Sequence, residues 1–168
     1  MSTDISNSIF VDKYALRDSN GEVIEKSPEQ MWLRVATAAA GVEEEAERPT
    51  WQRNFYWMLN DYKVLPGGRI LAALGNPSHM SALNCYVLPS PEDSVRGIYT
   101  TASDMAETHK RGGGVGVDLS SLRPNRAKVN NAARTSVGPV GFMELYSTTT
   151  GIIGQGGRRG ALMLTMND

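Results

Sequence analysis

Residues 112–119, which read GGGVGVDL, decide how this chain is expected to fold. Glycine and valine alternate within them, as in a strand that crosses a crowded interior where only glycine admits a close neighbour. Two further apolar runs, NCYVL at residues 84–88 and ALMLT at residues 161–165, also read as short strands, the first of them buried. A helical pattern with Asp93 or Ser94 at its cap separates the first two runs, and another separates the last two. This alternation predicts an α/β architecture with parallel strands.

The first third of the chain carries helical patterns without strands. Ser27, followed by proline, caps one amphipathic helix, and Thr50 caps a second. The apolar stripes of both helices are most simply explained as core contacts rather than as a cofactor site. We therefore expect an N-terminal helical region over residues 1–63 and an α/β region over residues 64–168.

Composition excludes several classes of protein. The 168 residues carry 17 basic and 18 acidic side chains, a net charge of −1, which argues against direct nucleic-acid binding or attachment to an anionic membrane. The chain contains neither an apolar run of about 20 residues nor the pattern of a secretory signal. A single cysteine, Cys85, rules out an internal disulfide, and His79 and His109 are too far apart in sequence to form a local metal pair. We expect a cytoplasmic protein (in the host cytoplasm if phage-encoded) without a metal site.

The glycines are the most unusual feature of the composition. There are 17 of them, and many fall into two clusters, at residues 112–116 and 154–160. The first cluster fits neither the dinucleotide fingerprint nor the P-loop. Taken singly, three glycines are more often a tight turn than a site. Arg158 and Arg159 are more often a surface pair, and Cys85 is more often an inert thiol.

Four blocks in order carry more information than any one of them. They read LPGGRILA at residues 65–72, NCYVL at 84–88, GGGVGVDLSSLRP at 112–124, and GPVGFM at 138–143 leading to QGGRRGA at 155–161. With these blocks, the chain closely resembles the N-terminal part of the catalytic subunit of ribonucleotide reductases, and most of all the adenosylcobalamin-dependent class II enzymes. The resemblance covers roughly residue 10 to the end.

The resemblance implies a fold and a reaction. The fold is a ten-stranded α/β barrel preceded by helices, and residues 64–168 would form its first part, leaving the barrel incomplete in this chain. Class II enzymes use adenosylcobalamin to form a thiyl radical on a cysteine, and this radical abstracts the 3′ hydrogen of a ribonucleotide. Two further cysteines become a disulfide as the 2′-hydroxyl leaves as water, which yields a 2′-deoxyribonucleotide for DNA synthesis. Cys85 matches the first member of this reducing pair.

The resemblance also implies which residues face the substrate. Asn84 and Cys85 match the strand residues beside the ribose. Gly113 and Gly114 match glycines whose missing side chains let the backbone lie against the substrate. Leu65 matches a substrate-contacting position that precedes the strand.

A second set of residues is implied for the allosteric effector, a deoxynucleotide or ATP. Asp93 and Ser94 match the helix start that holds the effector sugar, while Arg123 and Lys128 match the loop that holds its phosphates. A specificity loop, whose glycines would permit two arrangements, joins the effector base to the substrate base. It consists of Gln155, Gly156, Gly157, Arg158, Arg159 and Gly160.

Three thiols are needed for this chemistry, and the chain has one. We therefore expect part of a split ribonucleoside-diphosphate or -triphosphate reductase that is inactive alone. A complementary C-terminal polypeptide would complete the barrel, hold most of the adenosylcobalamin and receive electrons from a thioredoxin-type reductant. The strand of Cys85 and the strand at residues 161–166 would have exposed edges until that partner binds.

Three alternatives stay open. The chain could belong to the large subunit of a class I reductase, whose radical comes from a separate iron or manganese protein. It could also be a non-catalytic, nucleotide-binding regulatory relic that retains the effector loops. In the third alternative, the glycines serve only turns.

Overall fold

A computed structural model of the protein describes residues 4–153 and 160–167. The chain divides into two compact units, Met1–Ala82 and Leu83–Asp168. The boundary expected after residue 63 therefore falls inside the first unit. The residues just beyond that boundary are held to the earlier helices by long-range contacts, which no local sequence signal reports.

Helices build the first unit. They are α1 (Asp4–Lys13), α2 (Pro28–Ala40), α3 (Arg48–Leu59), which continues into a 3-10 turn at Asn60–Tyr62, and α4 (Gly68–Ala73). As predicted, Ser27 is the N-cap residue of α2, and Pro28 lies in its first turn. The N-cap residue of α3 is Glu47 rather than the predicted Thr50, because the first turn of a helix accepts Pro49, whose missing N–H has no partner there.

The core of the first unit lies mainly against α2. Trp32 in this helix is buried, and its ring meets that of Tyr62 edge to face, with 5.1 Å between the centroids. The stripe expected to make α3 a core helix is only partly buried: Phe55 packs against this core, whereas Trp51 and Met58 are more than one-third exposed and only Leu59 of that helix is fully buried. The buried apolar members of this core are Phe10, Met31, Trp32, Val35, Ala36, Leu59 and Leu71.

A buried ion pair links α4 to the rest of the first unit. Nε of Arg34 donates to a carboxylate oxygen of Glu25 at 2.7 Å, and both side chains are at most 10% exposed. The guanidinium also donates to the carbonyls of Leu71, at 3.1 Å, and Leu74. Because this arginine in α2 binds the carbonyls of α4 and the residue that follows it, residues 64–82 belong with the helices before them.

The second unit is a three-stranded parallel sheet with two helices. Its elements are β1 (Cys85–Leu88), α5 (Val95–Lys110), β2 (Gly114–Asp118), α6 (Gly138–Ile152) and β3 (Leu162–Thr165). The strand order is β1-β2-β3, and the register places Cys85 beside Gly114 and Val115 beside Leu162. The predicted α/β architecture and the three predicted strands are confirmed.

The two faces of this sheet differ. Val115 and Val117 of β2 are buried in a core with Met105 of α5 and Tyr146 of α6. Because side chains alternate along a strand, Cys85 lies on the opposite face of the sheet. That second face, here called the open face, consists of Cys85, Val87, Gly114, Gly116 and Met163.

Both outer strands are open toward solvent. Val87 of β1 is 89% exposed, and Met163 of β3 is 67% exposed. In the described ranges, β1 and β3 pair only with β2 and so are the outer strands of the sheet, and the exposure of their edges before a partner binds stays a prediction. Within the same ranges, none of the helices combines the length and apolar character that a membrane crossing needs.

Candidate substrate and effector sites

Cys85 is the first residue of β1, and its thiol is exposed on the open face. The sequence predicted a buried strand here. The burial is missing because β1 is an outer strand whose second face is not covered by α5 or α6. The thiol is therefore accessible to a substrate or to a second sulfur.

The three consecutive glycines at residues 112–114 lie where α5 ends and β2 begins, and each has its own structural reason. Gly112 has a φ of +88° and ends α5 in a Schellman motif, in which its N–H binds the carbonyl of His109 and the N–H of Gly113 binds that of Thr108. A Cβ on Gly113 would lie 2.5 Å from the ring of Tyr86. The Tyr86 ring thus explains within the chain itself why residue 113 is glycine, and the contact of Gly113 with the substrate stays a prediction.

Gly114 and Gly116 differ in how much space a Cβ would have at each position. A Cβ on Gly114 would lie 3.2 Å from the Cβ of Ala161 and 3.4 Å from the carbonyl oxygen of Asn84, so neighbouring strands account for this glycine. A Cβ on Gly116 would meet only the carbonyl oxygen of Tyr86, at an ordinary 3.9 Å. Packing within the described residues therefore does not require a glycine at position 116, on the open face.

Three of the residues expected to bind the effector lie together at the start of α5. Ser94 is the N-cap residue, and its hydroxyl accepts a hydrogen bond from the N–H of Gly97 at 3.0 Å. The carboxylate of Asp93 accepts a hydrogen bond from Nε of Arg123 at 2.7 Å, and a second guanidinium nitrogen donates to the Asp93 carbonyl at 3.3 Å. Because both partners are about one-third exposed, this ion pair is accessible to a ligand.

Lys128 lies in the loop that follows Arg123. The backbone of this loop forms an antiparallel bridge between Lys128 and Thr135, and the N–H of Arg126 donates to the carbonyl of Ser136 at 2.8 Å. Among the described residues, Lys128 takes no part in the Asp93–Arg123 ion pair. The structure thus brings together Asp93, Ser94 and Arg123 but leaves Lys128 in a separate turn.

Asp118, at the carboxyl end of β2, was missed by the sequence analysis. Its carboxylate accepts hydrogen bonds from the hydroxyl of Ser120 at 2.6 Å and from that of Thr165 at 3.2 Å. The Ser120 hydroxyl is the main reason why the pKa of Asp118 is below its ordinary value. An acidic residue at a strand end, followed by two serines, is the signal that could have revealed this cluster.

Comparison with known proteins matches each unit to a family model. Residues 1–79 match the all-alpha domain of ribonucleotide reductase, and residues 83–168, just over half of the chain, match its barrel domain. The chain belongs to the ribonucleotide reductase family.

Individual reductases agree with this assignment. The vitamin B12-dependent ribonucleoside-diphosphate reductase of Mycobacterium tuberculosis is 34% identical over 164 residues, which are 95% of this chain and 23% of that enzyme. The enzyme of the same name from Thermoplasma acidophilum is 44% identical over 84 residues, 49% of this chain and 11% of its own length. The ribonucleoside-diphosphate reductase subunit alpha of Helicobacter pylori is 28% identical over 152 residues, 90% of this chain and 19% of its own length. The chain thus spans less than a quarter of the length of these relatives.

The remaining site residues that the resemblance implies stay predictions. Leu65 is exposed in the first unit, whereas Cys85 belongs to the second. Residues 155–159 of the specificity loop lie outside the described residues, and Gly160 is the part of the loop that the structure describes. Among the described residues, no group of three or more histidine, cysteine, aspartate or glutamate side chains is placed to hold a metal ion.

Proposed function

We propose that this chain is the N-terminal part of a ribonucleotide reductase that converts ribonucleotides into 2′-deoxyribonucleotides by thiyl-radical chemistry. The observation that carries the proposal is the position of Cys85. Its thiol is exposed on the open face of a sheet whose other face is packed, in the part of the chain that matches the reductase barrel domain. A sulfur that must reach both a sugar and another sulfur needs this accessibility.

In this proposal, Cys85 is one of the two reducing cysteines. Its thiol and a second thiol lose two electrons and two protons as their disulfide forms. The substrate loses its 2′-hydroxyl as water and gains hydrogen at that carbon, so the reaction balances. Since Cys85 is the only cysteine among the 168 residues, the second reducing thiol and the thiol that carries the radical lie outside them.

The neighbours of Cys85 suit a substrate-binding surface. Gly114 lies beside it in the register, and Gly116 is the next residue of β2 on the open face. Since Gly116 borders open space, a bound ribose could approach the strand backbone there. Asn84 precedes Cys85, and its carbonyl accepts a hydrogen bond from the N–H of Gly114 at 2.7 Å, which links the two strands at this point.

The effector would bind at the start of α5. Asp93 and Ser94 present oxygen acceptors to the sugar of a deoxynucleotide or ATP, and Arg123 presents a guanidinium to its phosphates. A guanidinium has five N–H donors, so the bonds to Asp93 orient Arg123 and leave donors for phosphate oxygens. Lys128 would add a second positive charge from the following turn.

Adenosylcobalamin is the radical source that the proposal names, because two of the relatives described above are called vitamin B12-dependent. When bound, it supplies the radical that is passed to a cysteine. As the family resemblance implies, we place this cofactor mainly on the rest of the enzyme. Ribonucleoside diphosphates are the first substrates to test, since they appear in the names of the relatives.

The rest of the enzyme is proposed to be a complementary C-terminal polypeptide. It would pair with the outer edges of β1 and β3, supply the missing thiols and accept electrons from a thioredoxin-type reductant. We place this assembly in the cytoplasm.

The test is reconstitution. The chain, a polypeptide corresponding to the remainder of the reductase, adenosylcobalamin and a dithiol reductant are combined, and deoxynucleotide formation is measured by chromatography. Cys85→Ser is expected to abolish turnover while deoxynucleotide binding persists. Val87→Ala, two residues further along the same strand, controls for disturbance of β1.

The alternatives give different results. Turnover that needs a separate iron or manganese protein instead of adenosylcobalamin would indicate a class I enzyme. Deoxynucleotide binding without turnover, unchanged by Cys85→Ser, would indicate a regulatory relic. Full turnover by the Cys85→Ser assembly would contradict the proposed role of the thiol.

A further inference from the structure

A cavity lies between α2 and α3, entirely within the first unit. Its volume is about 580 Å³, inside the range of about 300–1,000 Å³ that is typical of small-molecule sites. About one turn of each helix lines it, with the same spacing of i, i+1 and i+4 on both. The lining residues are Glu29, Gln30, Leu33, Gln52, Arg53 and Tyr56.

Two of the lining residues give the cavity an apolar wall. The Leu33 side chain is 51% exposed, whereas the other large apolar residues of α2 are buried. Tyr56 is half-buried and packs against the core of the first unit, so its position is fixed by that core. An isobutyl group and an aromatic ring that line one cavity offer contact area to an apolar or aromatic part of a ligand.

The same cavity contains two opposite charges that do not pair with each other. Among the described residues, the Arg53 guanidinium donates to the hydroxyl of Thr50 at 3.1 Å and forms no ion pair with Glu29. The pKa of Glu29 lies below its ordinary value, chiefly because of a hydrogen bond with Ser27, so this carboxylate is ionised at neutral pH. A guanidinium has five N–H donors, and Arg53 therefore has donors left for a ligand anion.

Two amide side chains complete the lining, and each has one hydrogen bond inside the protein. Oε1 of Gln30 accepts from the N–H of Lys26 at 2.6 Å, and Nε2 of Gln52 donates to the hydroxyl of Thr37 at 2.7 Å. Within residues 4–153 and 160–167, the amide nitrogen of Gln30 and Oε1 of Gln52 have no partner. The cavity thus has one donor group and one acceptor group to offer besides its two charges.

We propose that this cavity binds a small zwitterion with an aromatic side chain, the chemical class of the free aromatic amino acids. The ligand carboxylate binds Arg53, its ammonium group binds Glu29, and its side chain lies against Leu33 and Tyr56. Such a ligand gives a partner to both charges of the cavity, whereas a ligand with one charge leaves the other without one. The inference goes beyond the proposed function, because it uses none of the residues assigned to the substrate or the effector.

The test titrates the isotope-labelled chain with L-phenylalanine and follows the amide chemical shifts by NMR. Three further probes each lack one feature of this ligand. Phenethylamine lacks the carboxylate, hydrocinnamate lacks the ammonium group, and glycine lacks the aromatic side chain. We expect saturable binding of L-phenylalanine, with shifts concentrated in residues 29–33 and 52–56. The other probes should bind roughly tenfold more weakly or worse, because each loses a charged hydrogen bond or the apolar contact.

Two variants assign the charges. In Arg53→Met, L-phenylalanine should bind no more tightly than phenethylamine, because the guanidinium that distinguishes the two probes is gone. In Glu29→Gln, it should likewise bind no more tightly than hydrocinnamate. Arg48→Met and Glu44→Gln make the same chemical changes at residues that do not line the cavity. These matched controls should bind L-phenylalanine as the wild type does.

Four results would overturn the inference. One is the absence of saturable binding of L-phenylalanine to the wild-type chain. Another is equally tight binding of phenethylamine or hydrocinnamate, which indicates an apolar cavity that does not recognise a zwitterion. The third is wild-type affinity in both Arg53→Met and Glu29→Gln, which places the probe elsewhere. The fourth is loss of the bound probe when a polypeptide corresponding to the remainder of the reductase is added, which makes the cavity a contact surface of the assembled enzyme.

Discussion

Each unit of the molecule contains an arginine–carboxylate pair with the same 2.7 Å separation between Nε and the carboxylate oxygen, but the surroundings of the two pairs differ. Arg34 and Glu25 in the first unit are 10% and 7% exposed, whereas Arg123 and Asp93 in the second are 37% and 36% exposed. The equal Nε–oxygen distance alone would suggest that the two pairs contribute equally to stability. Burial separates a pair that holds helices together from a pair that is accessible to a ligand.

The partners of the two pairs support this distinction. Arg34 donates to backbone carbonyls of residues far away in sequence, and Glu25 accepts a hydrogen bond from the N–H of Leu16 at 2.9 Å. All of these groups are internal to the first unit. The hydrogen bonds described above for Arg123, by contrast, all join it to Asp93, next to the N-terminus of α5. We therefore expect substitutions at the first pair to change stability and substitutions at the second to change binding.

The largest effect should come from Arg34→Met, which leaves the Glu25 carboxylate buried without its partner. The free energy of unfolding should fall by about 3–5 kcal/mol. All three tryptophans lie in the first unit, so urea unfolding followed by tryptophan fluorescence reports on that unit. Arg53→Met, at an exposed arginine of α3, is the matched control and should change stability by no more than about 0.5 kcal/mol. A loss below about 1 kcal/mol for Arg34→Met would remove the contrast between the two pairs.

A smaller loss of stability is expected at Gly113 in the second unit, where close packing is disturbed and no charge is removed. Gly113→Ala places a methyl group against the ring of Tyr86, which must shift, at a cost of about 1–3 kcal/mol. Hydrogen exchange of the β2 amides measures this loss. Gly151→Ala is the control, because its Cβ would meet nothing within 4 Å and alanine favours the helix. Equal exchange rates in the two variants would show that the close approach to Tyr86 has no energetic consequence.

Arg123→Met should change stability by less than about 1 kcal/mol, since exposed ion pairs contribute little. It should nevertheless weaken deoxynucleotide binding roughly tenfold or more, because hydrogen bonds to charged groups contribute about 1.5–3 kcal/mol. Calorimetric titration of the reconstituted reductase measures the affinity. Lys110→Met makes the same charge change at the other end of α5 and should leave the affinity unaltered. Unchanged affinity in Arg123→Met would place the effector phosphates elsewhere.

The smallest effect concerns pH. The pKa of Asp118 is lowered in the folded chain, chiefly by the Ser120 hydroxyl. Its contribution to stability is therefore present above the unfolded value of 3.8 and is lost as the pH falls through the lower folded value. Asp118→Asn should slightly reduce the thermal midpoint at neutral pH and should converge with the wild type in strong acid. If the thermal midpoints of the two proteins differed by the same amount at all pH values, the ionised Asp118 carboxylate would not be the source of the difference.

Local signals allowed much of the second unit to be predicted. Ser94 caps α5 as expected because a cap depends only on a few neighbouring residues, and the alternating pattern of β2 identified a buried strand. The family resemblance assigned Asp93 and Arg123 to one effector site, but their ion pair was not predicted, since no short-range pattern joins residues so far apart in sequence. Its use by an effector stays a prediction.

Features that depend on long-range contacts were not predictable in this way. Residues 64–82 belong to the first unit because Arg34 binds the carbonyls of Leu71 and Leu74, which a composition shift near residue 64 does not reveal. The exposure of Cys85 depends on which face of the sheet α5 and α6 cover. His109 appeared in the sequence as an isolated histidine, and its contacts with Thr150 of α6 and with Gly160 depend on chain segments far away in sequence.

The outer edges of β1 and β3 have a practical consequence for anyone who prepares this protein. A strand edge presents backbone donors and acceptors that can recruit any extended peptide, including another copy of the same segment. At high concentration, the purified chain should aggregate, because exposed strand side chains such as Val87 come into contact between molecules. Co-expression with the remainder of the reductase, or work in dilute solution, is therefore the sensible route to a homogeneous sample.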